Sequence, residues 1–242
     1  MSLAVVSDIH GNFIALDAVV ADLERRGVER VLQGGDLALG GWQPAEVVDR
    51  VRELGWPGVV GNTDELLWRP GELATQEERA PKLGPLLRLI FNEHGPATRE
   101  LLGEERVEWM RELPEQQRAG GLALVHAAPG DLWRSPMPDD RDADLLKAYA
   151  GLDAELVVYG HIHRPFVRDL GSLTVANSGS VGAPYDGDPR ASYLLVDNGR
   201  AEVVRVEYDI EREVAGLLQS GYPDAERVAE TRRRGEYVAL RG

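Results

Sequence analysis

The sequence predicts an α/β fold built as a single domain. Short apolar segments typical of buried strands alternate with segments whose apolar residues recur at helical spacing, and polar residues follow the strands. The order strand, helix, strand, helix, strand indicates a mostly parallel sheet with right-handed crossovers. The 242 residues contain no internal repeat, low-complexity segment or linker, so we assign residues 1–242 to one domain.

The first part of the chain gives the clearest predictions. Leu3–Val6 is an apolar run typical of a buried strand. Phe13–Arg26 has helical spacing, with Asn12 able to cap the helix and Gly27 able to end it. A second strand, a second helix and a third strand are predicted at residues 31–32, Pro44–Leu54 and residues 59–60.

The middle of the chain predicts helices, and the region after it predicts strands. Helices are expected over residues 81–113, punctuated by Gly95-Pro96 and Pro114. His94, at an expected helix end, is better explained as a helix-terminal residue than as a ligand. Asn198-Gly199 predicts a hairpin. The later elements are strands at residues 122–125, 156–159, 166–170, 173–176, 193–196 and 201–208, with a helix at 139–150.

The tail, residues 210–234, predicts a helix that Gly221-Tyr222-Pro223 interrupts. We expect Leu217 and Leu218 to belong to the core rather than to a partner surface. The basic run Arg232, Arg233 and Arg234 is expected to form a solvated helix face, because the protein is acidic overall.

Composition excludes several classes of function. The absence of cysteine excludes a disulfide framework, thiol catalysis and thiolate metal ligands. A formal net charge of -14 disfavours broad binding to nucleic acid. Because no signal-peptide pattern opens the chain and no apolar run reaches about 18 residues, we expect a cytoplasmic protein without a membrane segment.

Residues that suit divalent cations follow the ends of predicted strands. In an α/β sheet these ends form the crevice where ligands bind, so the residues are expected to meet in space. Carboxylate, imidazole and amide groups are ligands for hard and borderline cations. Each residue alone could be a turn, a cap or a hydrogen-bonded histidine, but the joint pattern favours a metal site. The residues are Asp8, His10, Asp36, Asn62, His126, His161 and His163.

Five segments in order resemble the motif series of the calcineurin-like metallophosphoesterases. They are Asp8-Ile9-His10-Gly11-Asn12, Gly34-Gly35-Asp36, Gly61-Asn62-Thr63-Asp64, Val125-His126 and Gly160-His161-Ile162-His163. The later run from Asn177 to Gly182 resembles a segment of the small bacterial phosphodiesterase branch. The resemblance implies a four-layer α/β/β/α sandwich with two divalent metal ions.

The resemblance also implies a ligand set and a reaction. The first metal would be held by Asp8, His10, Asp36 and His163. Asp36 would bridge to a second metal, which Asn62, His126 and His161 would complete. Manganese, iron, zinc, nickel and magnesium all remain possible because ligand type does not choose among them, and we favour manganese. A metal-bridging hydroxide would attack the phosphorus of a phosphate ester.

One position departs from the family pattern. Thr63 stands where the family often carries a histidine that protonates the leaving group or stabilises the transition state. A threonine is no general acid near neutral pH, although its hydroxyl can hydrogen-bond a phosphoryl oxygen. We expect Asn62, Thr63 and Asp64 to be catalytic, and we expect diesters or activated esters to be preferred over alkyl monoesters. Asn12 and Arg134 are the expected substrate contacts.

We therefore predict a metal-dependent phosphodiesterase that acts on a small phosphate ester or a nucleotide. A dinucleoside polyphosphatase, a protein phosphatase and a catalytically weakened metal-binding regulatory module stay open as alternatives, and so does the oligomeric state. Trp42, Trp133 and Tyr185 are either cleft residues or ordinary packing residues. A helical insert at about residues 65–114 is expected to cover the site.

Overall fold

Two β-sheets lie against each other at the centre of the protein, and helices cover their outer faces. The computed structural model describes residues 2–240. The strands are β1 Leu3–Val6, β2 Arg30–Gln33, β3 Gln116–Ala119, β4 Leu122–Val125, β5 Leu156–Tyr159, β6 Phe166–Asp169, β7 Thr174–Asn177, β8 Ala191–Asp197 and β9 Arg200–Val206.

The helices fall into an N-terminal pair, a central group, a single helix before β5 and a C-terminal pair. They are α1 Phe13–Arg26, α2 Pro44–Leu54, α3 Asn62–Leu66, α4 Leu73–Arg79, α5 Gly84–Leu89, α6 Gly95–Leu102, α7 Glu104–Arg111, α8 Asp142–Tyr149, α9 Ile210–Gln219 and α10 Ala225–Arg234. Short 3₁₀ turns lie at Pro70–Glu72, Pro81–Leu83 and Ala150–Leu152, and a π-helical turn at Ile90–His94 joins α5 to α6. In the described part of the chain no helix has the length and apolar character needed to cross a membrane.

The two sheets are mixed. Their strand orders are β2-β1-β8-β9 and β3-β4-β5-β7-β6. The pairs β1–β2, β4–β5 and β5–β7 are parallel, and the others are antiparallel. The expectation of a mostly parallel sheet is therefore wrong. Its physical reason is that hairpins, which need only short turns, add β9, β3 and β6 to the sheets.

Alternation along β1 shows how the layers form. Leu3 and Val5 pack into the apolar cluster between the sheets, whereas Ala4 and Val6 pack into the cluster under α1 and α2. A third cluster joins the outer face of the second sheet to α8. The α/β class and the arrangement of two sheets flanked by helices are confirmed.

Several local predictions are confirmed. The Asn12 side chain caps α1 by accepting a hydrogen bond from the Ala15 amide at 3.0 Å. Gly27 ends that helix in the left-handed conformation, with φ 65°. Asn198 and Gly199 both have positive φ in the turn between β8 and β9, as a type I′ hairpin requires.

Other elements differ from the predictions. Residues 59–60 form no strand, because the segment reaches β2 only through an isolated bridge between Gln33 and Gly58. The polar strand β3 has no apolar alternation and was missed. Helix α8 is shorter than the predicted helix at 139–150. Gly95-Pro96 does not end a helix, because the proline lies in the first turn of α6, where its missing N–H is tolerated.

In the tail, the predicted helix and its interruption are confirmed, and the predicted burial or exposure of two residues is wrong. Helices α9 and α10 flank the predicted interruption, and Leu217 is buried as expected, but Leu218 is 46% exposed. Arg232 is only 1% exposed, so the expectation that it belongs to a solvated face is wrong. His94 is also buried, at 1% exposure, within the π-helical turn. The assignment of residues 1–242 to a single domain stays a prediction.

Candidate metal centre

Four of the predicted ligands meet beyond the ends of β1, β2 and β5. One ligand atom from each of Asp8, His10, Asp36 and His163 lies within 4.8 Å of the others. His163 Nε2 is 3.1 Å from Asp8 Oδ1 and 3.1 Å from His10 Nε2. His10 Nε2 is 3.7 Å from Asp36 Oδ2. All four residues are buried, so these atoms face one another away from bulk solvent.

The remaining three predicted ligands form a second group beside the first. Asn62 Oδ1 lies 2.9 Å from His126 Nε2 and 2.9 Å from His161 Nδ1. His126 Nε2 is 3.5 Å from Asp36 Oδ1. Asp36 therefore presents one carboxylate oxygen to each group, and the structure brings all seven residues together.

Backbone carbonyls orient three of the imidazoles. The Nδ1 atoms of His10, His126 and His163 each lie within hydrogen-bond distance of a carbonyl, which can only accept. That contact fixes the proton on Nδ1 and leaves the Nε2 lone pair facing the cluster. The acceptors are the carbonyls of Leu39, Gly34 and Ala183, at 2.6, 2.8 and 2.6 Å.

The backbone at the ligands is unusual. Of the eight non-glycine residues with positive φ in the described part of the chain, five are predicted ligands. A non-glycine residue in the left-handed region is sterically disfavoured, and such residues gather at functional sites. The five are Asp8, His10, Asp36, His161 and His163, with φ between 51° and 67°.

Two glycines let the ligand loops approach closely. A Cβ on Gly61 would lie 2.1 Å from Asp36 Oδ1, and a Cβ on Gly160 would lie 2.3 Å from Asp8 Oδ2. Either side chain would displace a carboxylate of the cluster, so these positions require glycine.

Charge and burial set the protonation of the cluster. Burial alone would raise the pKa of Asp8, but His163 beside it holds that pKa well below its usual range. Burial, reinforced by neighbouring imidazoles, lowers the pKa of His10 and of His161 to about 4. An ionised carboxylate and neutral imidazoles are the forms that bind metal.

Asp64 positions the cluster but does not reach its cavity. Its Oδ2 accepts hydrogen bonds from the amides of Asp36 and Gly61, at 2.8 and 3.0 Å, and its Oδ1 accepts one from Leu37 at 3.0 Å. Burial and the charge of Asp36 raise the pKa of Asp64 to about 7. Both of its oxygens are engaged by backbone amides of the ligand loops, and the catalytic role of Asp64 stays a prediction.

A cavity of about 260 Å³ opens beside the cluster. Five predicted ligands and Thr63 line one end of it. Residues of the helical insert, of the C-terminal segment and of other loops, including Trp133 and Tyr185, line the rest. That the insert covers the site stays a prediction. The Oγ1 atom of Thr63 is buried and has no hydrogen-bond partner within residues 2–240. The five ligands are His10, Asp36, Asn62, His161 and His163.

Neither expected substrate contact lines this cavity. Asn12 is fully buried, and its amide nitrogen donates to the Gly182 carbonyl and the Tyr208 hydroxyl, both at 3.3 Å. Arg134 is exposed, and it donates to the Arg79 carbonyl at 2.5 Å. Asn12 caps α1 and Arg134 contacts the segment at Arg79, and their role as substrate contacts stays a prediction.

Of the three aromatic residues predicted either to line the cleft or to serve packing, two line the cavity and one does not. Trp133 and Tyr185 line the cavity. Trp42 instead packs under α9, where its indole N–H donates to Glu213 at 2.9 Å.

Three cavity residues were missed by the sequence interpretation. His94, Thr231 and Arg232 line the cavity and are buried. None lies in a motif, and Arg232 was hidden inside a basic run. The only available signal was the position of His94 in a helical segment expected to cover the site.

Comparisons with known proteins place this geometry in a family. Residues 1–200 match the calcineurin-like phosphoesterase superfamily domain. The chain belongs to that superfamily. It is 30% identical over 249 residues to an uncharacterized protein of Methanocaldococcus jannaschii, covering 92% of this chain and 94% of that protein. It is 27% identical over 214 residues to phosphodiesterase YfcE of Escherichia coli, covering 84% of this chain and 91% of that enzyme.

Solved structures agree with this membership of the calcineurin-like phosphoesterases. A metallophosphoesterase from Sphaerobacter thermophilus is 28% identical, with a TM-score of 0.78 over 97% of this chain and 100% of that one. A hypothetical protein from Pyrococcus horikoshii has a TM-score of 0.82 at 21% identity, over 98% of this chain and 99% of that one, which shows the shared fold. The family supports a hydrolase, and the buried Asp/His cluster is consistent with a divalent metal.

Proposed function

We propose that the protein is a dinuclear metal-dependent phosphoesterase that hydrolyses small phosphodiesters. The observation that carries this proposal is Asp36, whose two carboxylate oxygens face two separate groups of ligand atoms at the end of one cavity. A single structural ion would need only one such group.

The donor atoms fit divalent cations. All seven are carboxylate oxygens, amide oxygens or imidazole nitrogens, which suit manganese, iron, zinc, nickel or magnesium, with manganese favoured. Asp8, His10, Asp36 and His163 would hold the first ion, and Asp36, Asn62, His126 and His161 the second. Bound ions of this kind neutralise phosphoryl oxygens and lower the pKa of a water molecule.

Two side chains of the chain itself complete the chemistry. The Thr63 hydroxyl has no partner within residues 2–240 and lines the cavity, so it can donate to a phosphoryl oxygen of the substrate. Arg232 adds a buried positive charge to the same cavity, which favours an anionic ester. Neither group is a general acid near neutral pH, which supports a preference for esters with good leaving groups.

The alternatives have less support. A cavity of about 260 Å³ lies just below the usual range for ligand pockets and suits one compact ester better than a dinucleoside polyphosphate or a protein loop. The complete ligand set disfavours a regulatory module that has lost catalysis.

Hydrolysis of bis(p-nitrophenyl) phosphate with manganese tests the proposal. We expect turnover that a chelator abolishes and that added manganese restores. Asp36→Ala should reduce turnover by at least about a thousandfold, since it removes a ligand from both groups. Asp17→Ala, at an exposed position of α1, is the matched control and should keep full turnover. Turnover that survives the chelator, or none with any of the five metals, would contradict the proposal.

A further inference from the structure

We infer that the part of the cavity away from the metal centre binds the organic group of the ester, and that it selects a compact, mainly apolar group that carries a hydrogen-bonding group. This inference rests on the proposed function, because it names the substrate class of the same site. Two independent features of the cavity carry it, an apolar wall and a set of unpartnered polar atoms.

The apolar wall comes from the helical insert and from Trp133, which lies outside the insert. Four aliphatic side chains and the indole of Trp133 line this side of the cavity. Trp133 is held in place by stacking on Phe91, with ring centroids 5.7 Å apart. Leu83 is 48% exposed although it is a large aliphatic residue, so an apolar group placed against it would remove it from water. The aliphatic residues are Leu83, Leu86, Leu87 and Ile90.

The polar atoms lie in the same cavity lining. Within residues 2–240, eight buried side-chain atoms lack a hydrogen-bond partner, and four of them belong to residues that line this cavity. A buried polar atom without a partner is destabilising, so a concentration of them around one cavity indicates that a ligand satisfies them. The four are Thr63 Oγ1, His94 Nε2, Thr231 Oγ1 and Arg232 Nε.

His94 determines what the ligand must offer. The Nε2 atom of His94 is buried and has no hydrogen-bond partner within residues 2–240. Burial lowers the pKa of His94 to about 4, so the ring is neutral. A neutral ring carries one N–H and one lone pair, so Nε2 donates or accepts one hydrogen bond according to the tautomer. The ligand must therefore supply a hydrogen-bonding group.

The charged residues that line the cavity indicate which end binds the phosphoryl group and which end binds the organic group. Arg227 is already paired with Asp224, so it offers no free charge to the organic group. The guanidinium of Arg232 instead donates to the carbonyls of His10 and Gly40, both at 3.0 Å, and so lies beside a predicted ligand. The anionic phosphoryl group belongs at that end, and a neutral organic group belongs at the other.

Binding of phosphonates to the manganese-loaded protein, measured by calorimetry, tests the apolar wall. Methylphosphonate and phenylphosphonate share the anionic group and differ only in the organic group. We expect phenylphosphonate to bind at least about tenfold tighter, because its ring is buried against the wall. Leu83→Ser should reduce that ratio several-fold. Leu101→Ser is the matched control, since Leu101 is 47% exposed in the same insert and does not line the cavity.

A second pair of probes tests the hydrogen-bonding group. We expect the better of 3- and 4-hydroxyphenylphosphonate to bind at least about threefold tighter than phenylphosphonate. His94→Phe keeps an aromatic ring and removes the Nε2 atom, so it should abolish this preference and leave the phenyl-to-methyl ratio unchanged. If that variant does not fold, Thr231→Val is measured instead and should reduce the same preference without lowering the melting temperature.

The outcomes separate the two proposals. If no phosphonate binds to the manganese-loaded protein, the proposed function fails, and this inference fails with it. If methyl- and phenylphosphonate bind equally, or if Leu83→Ser and Leu101→Ser have the same effect, the inference is overturned and the proposed function stands. If neither hydroxyl isomer binds tighter than phenylphosphonate, the requirement for a hydrogen-bonding group is overturned.

Discussion

The backbone conformation of individual ligand residues holds the ligand atoms of the metal centre close together. Five predicted ligands adopt the left-handed region, which is disfavoured by roughly 1–3 kcal/mol for each non-glycine residue. Neighbouring hydrogen bonds hold them there. The amide of Asp8 donates to the Gly35 carbonyl, and that of His10 donates to the Asp36 carbonyl, both at 3.0 Å. The ligand atoms are therefore held close together by the chain itself.

Thr63 gives a prediction about the leaving group. Because no general acid lies at this position, the wild-type protein should hydrolyse aryl esters with much higher kcat/KM than alkyl monoesters. Thr63→His should raise kcat/KM for an alkyl monoester such as glycerol phosphate by about 10- to 100-fold, below the upper range of general-acid catalysis. Phosphate release by the two proteins measures the change.

The matched control for this prediction is Thr63→Val, which removes the hydroxyl and keeps the shape. It should lower kcat/KM for aryl and alkyl esters by the same factor, because the hydroxyl contacts the phosphoryl group and not the leaving group. Equal efficiency of the wild-type protein on aryl and alkyl esters would refute this account of Thr63.

At the scale of elements, helix α10 ties the C-terminal segment to the ligand loops. Its Arg232 donates to the carbonyls of Gly182, His10 and Gly40, which lie in three loops around the cavity. The next residue, Arg233, points to solvent and pairs with Glu211. One turn of the helix therefore carries both a buried arginine that connects three loops by hydrogen bonds and an exposed arginine in a surface ion pair.

Replacing each arginine in turn compares the contribution of the buried hydrogen bonds to stability with that of the surface ion pair. Arg232→Met removes one donor from each of three carbonyls and should lower the free energy of unfolding by about 2–4 kcal/mol. Arg233→Met removes an exposed pair and should change it by less than about 1 kcal/mol. Denaturant unfolding of both variants measures the difference. Similar values for the two variants would show that Arg232 does not brace the loops.

Elements were predictable where their determinants are local. Helix α1 carries its own cap at Asn12 and its own stop at Gly27, and the hairpin at Asn198-Gly199 needs only its two turn residues. Strand β3 was missed because its residues are polar and half exposed, so only pairing with β4 makes it a strand. A pairing partner is tertiary information that the local pattern does not carry.

At the scale of the whole molecule, the metal centre was predictable and the cavity was not. The seven ligands follow the carboxyl ends of strands or extended segments in a recognisable order. Asp8 follows β1 and His163 follows β5, and the packing of the two sheets brings them together. His94 and Arg232 belong to the insert and the tail, which meet only through tertiary packing. Their burial depends on contacts between segments about 140 residues apart, and no local pattern reports them.

The acidic net charge of the chain is compatible with a site that binds an anionic substrate. The chain has a formal net charge of -14, yet the cavity contains the buried guanidinium of Arg232 and the ligands for two cations. Metal ions and a buried arginine make a locally positive pocket in an acidic protein, which is what a phosphate ester requires.

Manganese binding at equilibrium tests the two-metal claim most directly. The stoichiometry should be two ions per chain for the wild-type protein and one for His161→Ala, because His161 belongs only to the group completed by Asn62 and His126. Elemental analysis after dialysis gives both numbers without any substrate. A wild-type protein that saturates at one ion or none, or a His161→Ala variant that still binds two, would contradict the account.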